Sequence, residues 1–166
     1  MNTIRFFALA TLLAALPAAA QTYDWSSTGS TGNFDYASTY SFTTTGPTVK
    51  FGSFQTGTVV FRYPVTNTYG SASNKVPGWT TLLATYTDNS ASGSVTATLY
   101  KVDKCDFSET QLCSITSTDG TSSPACDSCT FASTDVDFAN YYYYVKVTLS
   151  RSSTTATEAI HEVALN

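Results

Sequence analysis

The chain has 166 residues, of which 12% are charged and 42% are hydrophobic, and its formal net charge at pH 7 is -4. An acidic chain with few Lys and Arg residues lacks the clustered positive charge that nucleic-acid phosphates require. Thr, Ser, Tyr, Val and Phe are plentiful, and these residue types suit strands and their turns. The composition therefore argues against nucleic acid as a partner and predicts an all-β fold.

The first 20 residues have the pattern of a secretory signal peptide. A single basic residue, Arg5, precedes an apolar run over residues 6–16, and small residues follow at 18–20. We expect residues 1–20 to be removed on export, which leaves 21–166 as the mature chain. The apolar run is too short for a membrane helix, and the later sequence has no longer one. The sequence thus predicts a secreted protein, extracellular or periplasmic, without an integral membrane anchor.

Residues 21–33 differ in composition from the domain expected over 34–166. Tyr23 and Trp25 alternate with polar residues, and a flexible Gly/Ser/Thr run follows at 27–32. A short strand on such a tether has two interpretations. It folds back as an edge strand of its own domain, or it completes the sheet of a neighbouring molecule as a donor strand. Tyr23 and Trp25 are therefore candidate assembly residues.

Turn residues divide the single domain at 34–166 into about eight or nine strands. In chain order these strands are expected at 34–42, 49–51, 59–65, 79–87, 94–102, 114–116, 130–138, 141–149 and 158–165. Many short strands at turn-punctuated intervals predict an antiparallel β-sandwich of the Greek-key or jelly-roll type. In the terminal strand, strict alternation would place Glu158, Ile160 and Glu162 on the face opposite His161, Val163 and Leu165.

The strand at 141–149 begins with four consecutive tyrosines. From Val145 onward apolar and polar residues alternate, and the same register directs Tyr141 and Tyr143 inward and Tyr142 and Tyr144 outward. Exposed aromatic side chains can stack on sugar rings or contact a partner protein. Tyr142 and Tyr144 are therefore candidate binding residues, unless other segments cover both faces of the strand.

A long polar loop at 67–78 supplies two further candidate binding residues, Tyr69 within it and Trp79 directly after it. Loops on a rigid β scaffold often carry binding residues. With Tyr142 and Tyr144, these aromatics would form a carbohydrate-binding site.

Four cysteines, Cys105, Cys113, Cys126 and Cys129, lie within one quarter of the mature chain. An even number in an exported protein predicts two disulfides that staple the sandwich, with three possible pairings that the spacing does not separate. The Cys126–Cys129 spacing also occurs in zinc sites, but the oxidising compartment favours disulfides. We expect no cofactor.

Carboxylates offer the remaining candidate chemistry. Asp127, Asp135 and Asp137 would form a calcium site if their segments converge, although no recognised ligand spacing is present. A glycoside-acting enzyme would need two facing carboxylates, for which Glu158 and Asp137 are the candidates. His161 is the single histidine, and no serine-nucleophile motif accompanies it.

The leading hypothesis from the sequence is a non-catalytic secreted β-sandwich that works by binding or assembly, as a surface, matrix or filament component. Its partner would be a second copy of itself or another extracellular protein. A carbohydrate-binding module and a glycoside-acting enzyme are the two alternatives.

Overall fold

The computed structural model describes residues 24–35, 42–67, 76–118 and 120–166, apart from the side chains of residues 121 and 122. Short 3-10 turns occupy Gly29–Thr31 and Ser133–Asp135. Eleven antiparallel strands account for most of the rest: β1 Trp25–Thr28, β2 Asn33–Phe34, β3 Phe42–Thr45, β4 Thr48–Phe51, β5 Gly57–Val65, β6 Thr81–Asp88, β7 Gly93–Asp103, β8 Glu109–Thr116, β9 Thr121–Thr130, β10 Tyr141–Arg151 and β11 Glu158–Leu165.

The strands form two antiparallel sheets that pack as a sandwich. The first has the order β3-β4-β11-β6-β9, with β1 also paired to β11, and the second has the order β2-β5-β10-β7-β8. Strands β7 and β8 pair with each other, as do β6 with β9, β5 with β10 and β4 with β11. This nesting of one pair inside the next is the jelly-roll arrangement, which confirms the predicted fold class.

The hydrophobic core lies between the two sheets and follows the alternation of their strands. In β10 the inward side chains Val145, Val147 and Leu149 are fully buried, and Tyr143 is buried beside them. The core also contains large aromatic side chains from other segments, namely Phe61, Tyr63, Trp79 and Tyr86. Each sheet therefore buries one face against the other.

The N-terminal strand β1 pairs with β11 of its own chain. Trp25 lies opposite Leu165, and its indole is buried in the core. β1 and β4 share one edge of β11, since β4 pairs with Ala159 and Ile160 whereas β1 pairs from Glu162 onward. This is the fold-back arrangement. Tyr23 lies outside the described residues.

Three predicted strands differ from the structure by more than their end residues. The strand expected at 34–42 is wrong, because Phe34 ends β2 in the second sheet and Phe42 begins β3 in the first, and residues 36–41 lie outside the described residues. The strand expected at 130–138 is wrong, because β9 ends at Thr130 and a 3-10 turn follows. The preceding segment is polar and contains Pro124, so hydrophobic alternation did not identify it. β9 lies at a sheet edge, where proline is tolerated, and its register with β6 shifts near this residue. The short strand expected at 114–116 begins earlier, at Glu109.

The predicted facing of β11 is also wrong, because a β-bulge interrupts its alternation. The register with β6 shifts between Ile160 and Glu162, so His161 is the extra residue. Ile160 and Val163 are consequently both buried in the core, although they are an odd number of residues apart. The same shift places Glu158 on the inward side with Val163, where strict alternation predicted opposite faces, and Glu158 is buried.

One disulfide, Cys113–Cys129, joins the two sheets at an edge. Its Cα atoms are 5.9 Å apart, and it links the edge strands β8 and β9. The prediction of a second disulfide is wrong, because Cys105 and Cys126 are free and exposed. Cys126 and Cys129 are three residues apart in β9, so their side chains project to opposite faces.

We expect the Cys113–Cys129 disulfide to contribute about 3 kcal/mol to the free energy of unfolding, because it closes a loop across a sequence separation of 16. Urea unfolding of Cys113→Ala/Cys129→Ala should show this loss. The matched control, Cys105→Ser/Cys126→Ser, should unfold as the wild type does. A thiol titration of the denatured, unreduced protein should detect Cys105 and Cys126 alone, and their absence from that titration would contradict the pairing.

Candidate functional site

The outer side of the second sheet carries a group of aromatic and basic side chains, here called the tyrosine face: Arg62, Tyr100, Lys104, Tyr142 and Tyr144. Tyr144 on β10 lies opposite Tyr100 on β7, and their rings stack with centroids 5.2 Å apart and planes 16° apart. The Arg62 guanidinium, on β5 at the other side of β10, lies 6.0 Å from the centroid of the Tyr144 ring. Tyr144 thus has an aromatic neighbour on one side and a cation on the other.

Tyr142 is the more exposed of the two β10 tyrosines on the tyrosine face, with 56% of its surface accessible. The Lys104 ammonium lies 4.9 Å from the centroid of its ring. The same ammonium donates hydrogen bonds to the carbonyl oxygens of Phe138 and Ala139, at 2.7 and 3.1 Å. Lys104 therefore fixes the loop before β10 and supports one side of the Tyr142 ring.

Burial and a hydrogen bond to Glu109 raise the pKa of Tyr144 to about 12, although Arg62 opposes the shift. The phenol is therefore neutral throughout the physiological range and serves as a hydrogen-bond donor and acceptor. Tyr144 therefore contributes an apolar ring to the tyrosine face, with a hydroxyl group held in place by its hydrogen bonds.

The inward tyrosines at the same end are held by the loop that precedes β10. The Tyr143 hydroxyl donates to the carbonyl of Asp135 at 2.8 Å and accepts from the amide of Asp137 at 2.7 Å. Its ring packs edge-on against Phe138, with centroids 5.0 Å apart. Tyr143 is thus a structural residue, and the outward tyrosines are supported from below by a fixed loop.

Trp79 does not belong to a binding surface, so that prediction is wrong. Its side chain is 1% exposed and packs edge-on against Phe138 with centroids 5.8 Å apart. Trp79 precedes β6, and its side chain points into the core. Its position at the end of a loop is compatible with either a buried or an exposed side chain, so the sequence did not decide between them. Tyr69 lies outside the described residues.

The three candidate calcium ligands have other partners. Asp127 on β9 accepts a hydrogen bond from the Tyr86 hydroxyl, and Asp135 forms an ion pair with Lys101 at 3.6 Å. Asp137 accepts bonds from the amide of Ala139 and the side chain of Asn140. Within the described parts of the chain, no three His, Cys, Asp or Glu side chains are grouped to hold a metal ion.

His161 is held within the first sheet. Its Nδ1 is 2.8 Å from the Thr48 hydroxyl and its Nε2 is 2.9 Å from the Thr87 hydroxyl. Burial lowers the pKa of the imidazole. A neutral ring with both nitrogens engaged orders the bulge in β11, and it is not poised as a general base.

The candidate glycosidase carboxylates lie at opposite ends of the sandwich. The main chain of Asp137 contacts Tyr143 near the start of β10, whereas Glu158 interacts with Arg151 at its end. Eight residues of strand separate these points, roughly 26 Å at 3.3 Å per residue. A retaining or inverting pair requires a separation of only about 5–10 Å. These two carboxylates therefore cannot act on one glycosidic bond.

Glu158 belongs to a buried charged group at the end of the sandwich remote from the tyrosine face. It lies directly opposite Asp88 in the neighbouring strand, and both side chains are fully buried. Arg151, at the end of β10, is also buried at this end. The Glu158 carboxyl contacts the main chain of Gly93, where an added Cβ would lie 1.8 Å from its Oε1. Only a glycine leaves room for the carboxyl there.

The structure adds Arg62, Tyr100 and Lys104 to the surface predicted from Tyr142 and Tyr144. A signal for Tyr100 was present, because Val95, Ala97 and Leu99 face inward in the same strand. Its contact with Tyr144 depends on strand order, which the local pattern does not contain. No helix in the described part of the chain is long and apolar enough to cross a membrane.

No family model and no curated protein matches this chain. Two solved structures of infectious bursal disease virus are similar to it at 10% sequence identity. For the Gt strain the TM-score is 0.39, over 96% of this chain and 37% of the viral chain. For the Gx strain it is 0.36, over 94% and 36%. The chain thus spans little more than a third of the viral chains, and scores of this size carry no conclusion on function.

Glu158 should make the protein less stable as the pH rises from about 4.5 to about 7. Burial raises the pKa of this carboxyl from 4.5 to about 7, with Arg151 opposing and Asp88 adding to the shift. In this window the folded state holds a proton that the unfolded state has released, so the free energy of unfolding falls. Thermal midpoints of wild type and Glu158→Gln should agree at the lower end of this window, and the wild-type midpoint should fall progressively below that of the variant toward its upper end.

The difference between the two proteins isolates Glu158, because His161 is common to both. The lowered pKa of His161 has the opposite effect, because it reduces the free energy of unfolding as the pH falls. If the difference between wild type and Glu158→Gln did not change across the window, the assignment of the proton to Glu158 would be wrong.

Proposed function

We propose that this chain is an exported, non-catalytic β-sandwich that works by self-association, and that the tyrosine face is its contact surface. The observation that carries the proposal is the pre-ordered pair of the exposed Tyr142 and the half-buried Tyr144, each with a basic side chain beside its ring. Tyrosine and arginine are enriched at protein interfaces, since they combine large contact area with hydrogen bonding. The export signal remains a prediction from residues 1–20, and the disulfide is compatible with it.

The arrangement of the rings favours a protein partner over a glycan. A sugar ring stacks on an open aromatic face, but the Tyr144 ring has Tyr100 on one side and Arg62 on the other. The Tyr142 ring has Lys104 against it. The tyrosine face therefore presents ring edges, hydroxyl groups and cations, which suit the mixed chemistry of a protein surface better than a sugar plane.

Charge supports a second copy of the chain as the partner. Three basic residues, Arg62, Lys104 and Lys146, lie on or beside the tyrosine face, and Arg62 also forms an ion pair with Asp35. The protein as a whole is acidic. Cations on this face attract carboxylates on another copy of the acidic molecule, and this attraction steers encounter and orientation. The resulting contact would be head-to-tail in type, which builds rings or filaments.

Tyr142→Ala should weaken self-association roughly tenfold or more, because truncation of a central interface aromatic costs about 2 kcal/mol. The measurement is sedimentation velocity of the purified exported protein over a range of concentrations. Added salt should weaken association as well, since the attraction is screened.

The matched control is Phe54→Gly, which removes an aromatic side chain that is 87% exposed at the other end of the sandwich. Glycine also suits its backbone φ of 60°. This variant should associate as the wild type does. A wild-type protein that stays monomeric at every accessible concentration would refute the proposal. A monomer that binds a glycan array through Tyr142 would assign carbohydrate binding instead.

A further inference from the structure

The end of the sandwich remote from the tyrosine face buries a carboxyl group without a hydrogen-bond partner. Glu158 is fully buried, and neither of its carboxyl oxygens has a hydrogen-bond partner. A buried ionised carboxylate in that state is strongly disfavoured, whereas a neutral carboxyl is tolerated. Ionisation of Glu158 is therefore coupled to the stability of the structure around it.

Every strand packed around Glu158 contributes to its environment. On β6, Asp88 lies opposite it and binds the Ser117 hydroxyl and the amide of Ser90. On β7, the main chain of Gly93 contacts its carboxyl. The end of β10 supplies Arg151, and β4 supplies Lys50, whose side chain is exposed and which lines the same cavity of about 210 Å³. Arg151 is therefore the one buried cation among these neighbours.

Arg151 holds two loops against this end of the sandwich. Its Nε donates to the carbonyl of Gln55 at 2.5 Å and one terminal nitrogen donates to that of Gly52 at 2.7 Å, both in the β4–β5 loop. The other terminal nitrogen donates to the carbonyl of Ala156, in the β10–β11 loop, at 2.9 Å. The guanidinium also lies over the Phe51 ring, 4.6 Å from its centroid. The two loops thus depend on one side chain.

We propose that Glu158 is a proton-operated switch for the two loops that Arg151 holds. When the carboxyl is protonated, Arg151 keeps its hydrogen bonds to the three loop carbonyls, and both loops stay packed against this end of the sandwich. When the proton passes to solvent, the carboxylate adds a second buried negative charge beside Asp88 and competes for the guanidinium. Arg151 then turns toward Glu158, the carbonyls of Gly52, Gln55 and Ala156 lose their donor, and both loops loosen.

Hydrogen exchange of backbone amides tests this switch in the wild-type protein. Gln55 and Ala156 donate amide hydrogen bonds within the two loops, at 3.3 Å each. Their protection factors, corrected for the intrinsic pH dependence of exchange, should fall by up to tenfold per pH unit between about pH 4.5 and about pH 7 and level off above that, because only in this window does opening release a proton. The amide of Val147, in the middle of β10, is the internal reference and should keep its protection.

Two variants separate the switch from a general loss of stability. Glu158→Gln keeps the shape of the side chain without a titrating proton, so both loop amides should stay protected at about pH 8.5. Asp88→Asn removes a neighbour that raises the pKa of Glu158, so the loss of protection should level off at a lower pH and should be smaller than in the wild type. The second variant keeps the test available if the first does not fold.

Three outcomes would overturn the proposal. The first is loop protection in the wild type that does not change between about pH 5.5 and about pH 8.5. The second is a Glu158→Gln protein in which the pH-dependent loss persists. The third is full recovery of protection when calcium chloride is added at the higher pH, because a bound cation rather than a proton would then neutralise the two carboxylates.

Discussion

Strand β10 is hydrogen-bonded along its length on both sides, to β5 and to β7, and the rest of the molecule is arranged about this pairing. A strand held between two neighbours cannot rotate, so its alternate side chains are committed to opposite faces. The inward set forms the centre of the core. The outward set begins with Tyr142 and Tyr144, and the last residue, Arg151, turns in to hold two loops. One strand thus connects the tyrosine face at one end to the buried charged group at the other.

Alternation predicts the structure wherever a strand is regular and has one buried face. β5, β7 and β10 satisfy this condition, and their inward residues could be assigned from the sequence. β9 does not, because an edge strand of Ser, Thr, Asp and Cys buries too little apolar surface to show a pattern. β11 fails for another reason. Its bulge at His161 is stabilised by the hydroxyls of Thr48 and Thr87, which are distant in sequence.

The residues of the candidate site also fall into those that strand alternation predicts and those that it does not. Tyr142 could be placed outward from its own strand, because exposure follows from parity alone. Its neighbours Arg62 and Tyr100 depend on strand order, a tertiary property that a local pattern does not contain. The predictions of Trp79 as a binding residue and of Glu158 on the face opposite Val163 were wrong for a related reason. Each lies at a strand end, where a turn or a bulge overrides the period and decides which way the side chain points.

The nested pairing also sets an order for folding. The innermost pair, β7 with β8, joins segments close in sequence and pays little loop-closure entropy, whereas β4 with β11 joins segments more than a hundred residues apart. β11 nevertheless lies at the centre of its sheet, between β4 and β6. A growing chain can therefore form the β7–β8 hairpin early, but the first sheet stays in two pieces until β11 is inserted between them.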